Sequence, residues 1–191
     1  MPPHPPNKAA LRQSFLERRL QMLPKEREGA ALAVYDSFFR HVSLLNGKAV
    51  VGGYWPVKGE VDTLHILDEL RRRGHICGLP HMTGEGAPLL FRQWDTGEEL
   101  IAGKFGIPEP PADSAALVPD ILLVPLLAFD EKRHRLGYGG GFYDRTLARL
   151  KPQKKTLAVG LAYEMQLYNI LPHEPNDVRM DIIITDRKVY S

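Results

Sequence analysis

The chain has 191 residues, 43% of them hydrophobic and 25% charged, with a single cysteine and a formal net charge of +2. That length suits one domain with a core of its own, and the composition excludes a disordered or collagen-like chain. The lone Cys77 excludes a disulfide framework or a cysteine-cluster metal site, and the balanced charge argues against a broad nucleic-acid or membrane-binding surface.

In chain order, the proline-rich residues 1–7 read as a flexible lead-in to a single domain over 1–191, with no apolar region of the secretory kind. Asn7 is placed to cap a helix over Lys8–Leu23, with Leu11, Phe15, Leu16, Leu20 and Leu23 as its apolar stripe and Pro24 as its end. A second helical pattern runs from Lys25 to Leu45 on Ala30, Val34, Phe38 and Val42, with Asn46-Gly47 as a stop. Lys48–Trp55 reads as a buried strand, Pro56–Asp62 as a loop, Thr63–Arg73 as a helix and His75–Pro80 as a strand. That strand–helix–strand unit predicts parallel pairing by a right-handed crossover.

Leu89–Trp94 is a further strand, antiparallel in expectation, and Glu98–Pro119 reads as one long loop. Asp120–Leu127 is the most hydrophobic strand and belongs in the sheet centre. The longest apolar run, Ile121–Phe129, is nine residues, far short of the roughly 20 of a membrane span. Phe142–Leu150 is helical, and Thr156–Ala162 and Met180–Thr185 are strands. Strands alternating with helices predict an α/β domain, three layers deep, around a mostly parallel, mixed sheet. Cys77 lies in an apolar stretch and reads as a small buried hydrophobe, and the whole suits a cytoplasmic protein.

The densest feature is Arg135-Leu136-Gly137-Tyr138-Gly139-Gly140-Gly141-Phe142-Tyr143-Asp144-Arg145, between a buried strand and a helix. A helix start offers free N–H groups and the positive dipole end, and glycines let the backbone approach a phosphate. No Lys-Ser or Lys-Thr follows, as a Walker A loop needs, and Phe142 stands where a dinucleotide fingerprint has its last glycine. A plain tight turn is the competing reading. The seven histidines show no metal-ligand spacing, and no Ser-His-Asp or Cys-His arrangement is readable.

Four segments together resemble the 5-formyltetrahydrofolate cyclo-ligase family: Lys8-Ala9-Ala10-Leu11-Arg12, Tyr54 through Thr63, Val124 through Asp144, and Asp177-Val178-Arg179-Met180-Asp181. They stand in family order over nearly the whole chain. The resemblance implies a NagB/RpiA/CoA transferase-like three-layer α/β/α fold. It also implies ATP-dependent closure of 5-formyltetrahydrofolate to 5,10-methenyltetrahydrofolate by phosphorylation of the formyl oxygen, with Mg²⁺ required.

Residue by residue, it implies an ATP site from Lys8, Ala9, Ala10, Leu11 and Arg12 and from Arg135, Leu136, Gly137, Tyr138, Gly139, Gly140, Gly141, Phe142 and Tyr143. Lys8 and Arg135 would act on the phosphates in catalysis. Trp55 and Glu60, with Tyr138 to Phe142, would bind the folate, and Asp144 and Asp181 the Mg²⁺. Some relatives carry a basic residue or a methionine inside the glycine loop, where this chain has Tyr138 and Gly140. The expected protein is a monomer that takes ATP and a reduced folate. The alternatives are a non-catalytic folate- or nucleotide-binding protein on the same fold and a sugar-phosphate isomerase-like enzyme.

Overall fold

The computed structural model describes residues 7–43 and 47–191. Helix α1 spans Lys8–Leu20, and the Asn7 side chain accepts from the Ala9 N–H at 2.9 Å, as the cap reading requires. The helix ends three residues earlier than expected. Its buried face is Leu11, Phe15 and Arg19, while Leu20 and Leu23 are 52% and 62% exposed. Steps of four residues keep one helical face, so position 19 follows 11 and 15 inward whatever its charge.

Pro24 opens α2 (Pro24–His41) at the position where a missing N–H costs nothing. Ala31, Val34 and Phe38 form its buried face, and Ala30 packs only at the edge. The helix ends at His41, four residues short of the expected Leu45, with Val42 already extended; Leu44, Leu45 and the expected stop at Asn46 lie outside the described residues, as does the lead-in over residues 1–6.

The remaining elements are β1 (Val50–Gly52), α3 (Leu64–Arg72), β2 (Ile76–His81), β3 (Leu90–Gln93), β4 (Ile101–Ala102), β5 (Pro108–Glu109), β6 (Ala116–Leu117), β7 (Ile121–Pro125), β8 (Ala128–Phe129), β9 (Arg135–Leu136), α4 (Phe142–Leu150), β10 (Leu157–Leu161), β11 (Ile182–Ile184) and β12 (Val189–Tyr190). The main sheet has the order β12-β11-β10-β7-β1-β2-β3-β6. Its middle, β11 to β2, is parallel, and the flanking β3, β6 and β12 pair antiparallel.

Alternation along β7 builds two cores. Ile121 and Leu123 face α2 and α3, and Leu122 and Val124 face Leu147 and Leu150 of α4. Helices therefore cover both faces of the sheet, giving the expected three layers. Cys77 is 2% exposed, and burial pushes its thiol up to about 12, which suits a packing residue. No helix among the described residues is long and apolar enough to cross a membrane.

One expectation fails. Glu98–Pro119 is not a structureless loop: β4 and β5 form a hairpin whose tip turns at Lys104–Gly106, and β6 joins the main sheet. Strands of two residues carry too little periodicity to be read in advance.

From β1 the chain crosses to β2 on one side; from β7, beside β1, it crosses to β10 on the other. The carboxyl ends of β1 and β7 thus flank the point where the winding reverses, which is where open α/β sheets form a crevice.

Candidate active site

A cavity of about 660 Å³ opens at that point. The loop after β1 supplies Trp55, Lys58 and Glu60; the loop after β9 supplies Gly137 to Gly141; α4 supplies Phe142, Tyr143 and Asp144. The start of α1 brings Lys8 and Arg12, and Glu174 and Asp177 close the wall near them.

The cationic end is built by helix arithmetic. Lys8 and Arg12, four residues apart, share the cavity side of α1. Ala9 and Ala10 are exposed and Leu11 is in the core, so these three do not line the cavity although the resemblance grouped them with the ATP site. Arg12 Nε donates to Gly137 O at 2.9 Å and clamps the glycine loop. A Cβ on Gly139 would lie 3.3 Å from the Arg12 guanidinium carbon, and its φ of 101° also calls for glycine. Gly141, at φ 65°, caps α4, and the first residues of that helix, Phe142 to Asp144, line the same cavity.

Arg135 has a side chain only 5% exposed. Its Nη1 donates to Val178 O at 2.6 Å and its Nη2 to Asp144 Oδ1 at 2.9 Å. Asp144 Oδ1 also accepts from the Val178 N–H at 2.9 Å, while its Oδ2 has no hydrogen bond from any of the described residues. The residue therefore keeps an open oxygen on the cavity wall.

Asp181 is elsewhere. It precedes β11, at the amino end of the parallel strands, and its Oδ2 accepts from the Ala158 N–H at 2.7 Å. The expected pairing of Asp144 with Asp181 at one ion is not what the structure brings together. From the same segment it is Asp177, four residues earlier, that reaches the cavity.

Asp177 Oδ2 holds Lys8 Nζ at 2.8 Å, and Glu174 Oε1 holds it at 2.9 Å. Burial alone works against both charges, yet the pairing outweighs it: the Lys8 ammonium ends above its ordinary value and the Asp177 carboxyl below. The Asp177 contribution is present above its unfolded value near 3.8 and is lost as pH falls through the lower folded value. Lys8 keeps its share up to and beyond 10.5. Asp177→Asn should therefore destabilise the protein by about 1 kcal/mol at pH 7. The difference from wild type should shrink as pH falls below 3.8, which urea titration at pH 7 and in acid checks.

The other end of the cavity is a buried acid among aromatics. Glu60 is 8% exposed and its Oε2 accepts from the Val57 N–H at 3.0 Å. Burial raises its carboxyl pKa, and Arg19, Tyr138 and Lys58 pull the other way. Trp55 both packs on the core, edge-on to Trp94 at 6.2 Å, and forms cavity wall. Tyr143 lines the cavity, and burial raises its phenol above the ordinary range, so it stays protonated.

Three participants were not singled out in the sequence. Phe105, 74% exposed at φ 58°, projects from the β4–β5 tip over the cavity. Glu109, 4% exposed, stands 3.0 Å from His81 Nδ1 at the base of that hairpin. Arg19 is buried behind the wall. Only Arg19 left a signal, in the spacing of 11, 15 and 19. Among the described residues no group of three or more His, Cys, Asp or Glu could hold a metal.

The sequence matches the profile of the 5-formyltetrahydrofolate cyclo-ligase family over residues 5–186. It is 40% identical over 138 residues to the 5-formyltetrahydrofolate cyclo-ligase of Escherichia coli (strain K12), covering 69% of this chain and 75% of the relative. It is 33% identical over 193 residues to that of Mycolicibacterium smegmatis, covering 96% of each. The fold superposes on the solution structure of Aquifex aeolicus 5,10-methenyltetrahydrofolate synthetase with a TM-score of 0.79 at 30% identity, over 95% of this chain and 91% of that one.

Proposed function

The chain belongs to the 5-formyltetrahydrofolate cyclo-ligase family, and from that premise we propose that it closes 5-formyltetrahydrofolate to 5,10-methenyltetrahydrofolate at the expense of ATP. The carrying observation is that one cavity joins the cations Lys8, Arg12 and Arg135 to the buried Glu60 and the aromatic Trp55. Two ligands that must touch need such a shared cleft.

In this reading the γ-phosphoryl group passes to the formyl oxygen and turns it into a leaving group. N10 of the folate then attacks the formyl carbon and loses its proton, and the phosphate leaves with the formyl oxygen. ADP, phosphate and the methenyl product result.

Lys8 and Arg12 meet the triphosphate, Lys8 exchanging its two carboxylates for phosphate oxygens. Arg135, fixed by Val178 O and Asp144, stabilises charge on the transferred group. Glu60 accepts from the donor-rich pterin, and Trp55 gives it a flat wall. Tyr138 and the glycine loop lie between the two ligands.

The donor set fits a magnesium ion that takes one protein carboxylate with phosphate oxygens and water, and Asp144 Oδ2 would hold it. When bound, Mg²⁺ neutralises phosphate charge. We read the protein as a cytoplasmic monomer, since one chain supplies both the cations and the folate wall. With ATP, Mg²⁺ and 5-formyltetrahydrofolate, the near-ultraviolet absorbance of the methenyl product should rise. Leaving out ATP, or adding EDTA, should return it to background; no product from folded protein would overturn the reading.

A further inference from the structure

Arg19 does not line the cavity, yet it is 1% exposed on the inner face of α1. A guanidinium stays charged inside a protein, so its burial is costly unless its donors are met. Here three are: Nε donates to Lys58 O at 3.0 Å, Nη1 to Leu126 O at 3.1 Å, and Nη2 to the Tyr138 hydroxyl. The guanidinium also lies 5.8 Å from the centre of the Tyr138 ring. The partners come from three separate pieces of wall: the loop after β1, the turn after β7 and the glycine loop.

Building on the activity proposed above, we propose that Arg19 is a positioning residue for the folate half of the cavity, acting through Tyr138 and the Lys58–Glu60 turn and touching no ligand. Two details give it that work. Lys58 holds φ at 51°, a left-handed conformation costing a non-glycine residue on the order of 1 kcal/mol, and Arg19 anchors its carbonyl. The Tyr138 oxygen accepts from Arg19, so its own proton remains to be donated into the cavity whose wall it shares with Glu60, and Arg19 and Tyr138 both pull the Glu60 carboxyl down against its burial. A cation donating into a hydroxyl strengthens that hydroxyl as a donor.

Glu60 is faced from every side by named groups. Arg19 comes from α1, Lys58 from its own turn, Tyr138 from the glycine loop, Tyr54 from the end of β1 and Tyr143 from α4. Tyr163 donates to Glu60 O at 3.2 Å, and Arg27, Asp62 and His65 lie on the outer rim. Of the cations, Arg19 alone is fully buried and also grips a cavity residue.

The test uses R19K, R19M and Y138F in the full chain. R19K should raise KM for 5-formyltetrahydrofolate roughly tenfold and leave KM for ATP within about twofold. The acid limb of kcat/KM should move to higher pH, as should the Glu60 carboxyl titration followed by carbon NMR. Y138F should raise the folate KM likewise, and R19K/Y138F should be no worse than R19K, because the two act as one unit. If R19M does not fold, R19K and Y138F carry the test.

Folate and ATP KM rising together, with the Glu60 titration unmoved, would mark Arg19 as a structural staple and overturn the proposal. If wild type makes no methenyl product, the proposed activity falls. The Glu60 titration in R19K then decides alone: a rise supports positioning, and no change overturns it.

Discussion

Arg135→Ala should lower kcat roughly 10²- to 10³-fold while the protein remains folded. The side chain is 5% exposed and is held before any ligand arrives, by Val178 O at 2.6 Å and Asp144 at 2.9 Å. A cation fixed in advance needs no reorganisation as charge develops on a transferred phosphoryl group, and the burial of its side chain leaves its field less screened than in water. Arg135→Lys keeps the charge but loses the two-pronged fork that meets Val178 and Asp144, so it should recover only part of the loss.

Truncation also has a structural cost. Asp144 keeps the Val178 N–H but loses its cation, and Val178 O loses a donor, so about 1–3 kcal/mol of stability should go as well. Circular dichroism and urea midpoints separate the two effects. Normal turnover in a folded Arg135→Ala variant would remove Arg135 from the chemistry.

What was legible in the sequence follows from what each feature costs. The glycine loop, the central strand and α4 were all readable, because backbone approach to an anion demands glycines and a doubly covered strand must be apolar throughout. The β4–β5 hairpin was not, since two-residue strands have no period to detect. Arg19 shows a subtler limit. The stripe read from the sequence passes over position 19, since a charge is expected outside, and it is the carbonyls of Lys58 and Leu126 and the Tyr138 hydroxyl, from distant segments, that let Arg19 face inward. The same holds for Asp177 and Asp181. Both stand in one short segment, and which of them faces the crevice depends on where β11 begins relative to the sheet's carboxyl edge.

Glu60→Gln should separate activity from stability in opposite directions. The amide oxygen can still accept from the Val57 N–H, so the turn keeps its shape. If Glu60 binds the pterin as proposed, the lost negative charge removes a strong acceptor, and KM for 5-formyltetrahydrofolate should rise roughly 10- to 100-fold with KM for ATP unchanged.

Stability should move the other way. Burial raises the Glu60 carboxyl above its ordinary 4.5, so the folded state favours the protonated form. That advantage is fully present below the unfolded pKa and is lost as pH rises through the folded one. At pH 7 the ionised carboxylate therefore works against the fold, and Gln should be the more stable residue there. Near pH 3.5 the two proteins should unfold at the same urea concentration. A charge kept where a neutral isostere would fold better is what the proposed ligand role of Glu60 calls for. An unchanged folate KM in Glu60→Gln would instead reduce Glu60 to a staple for the Val57 turn.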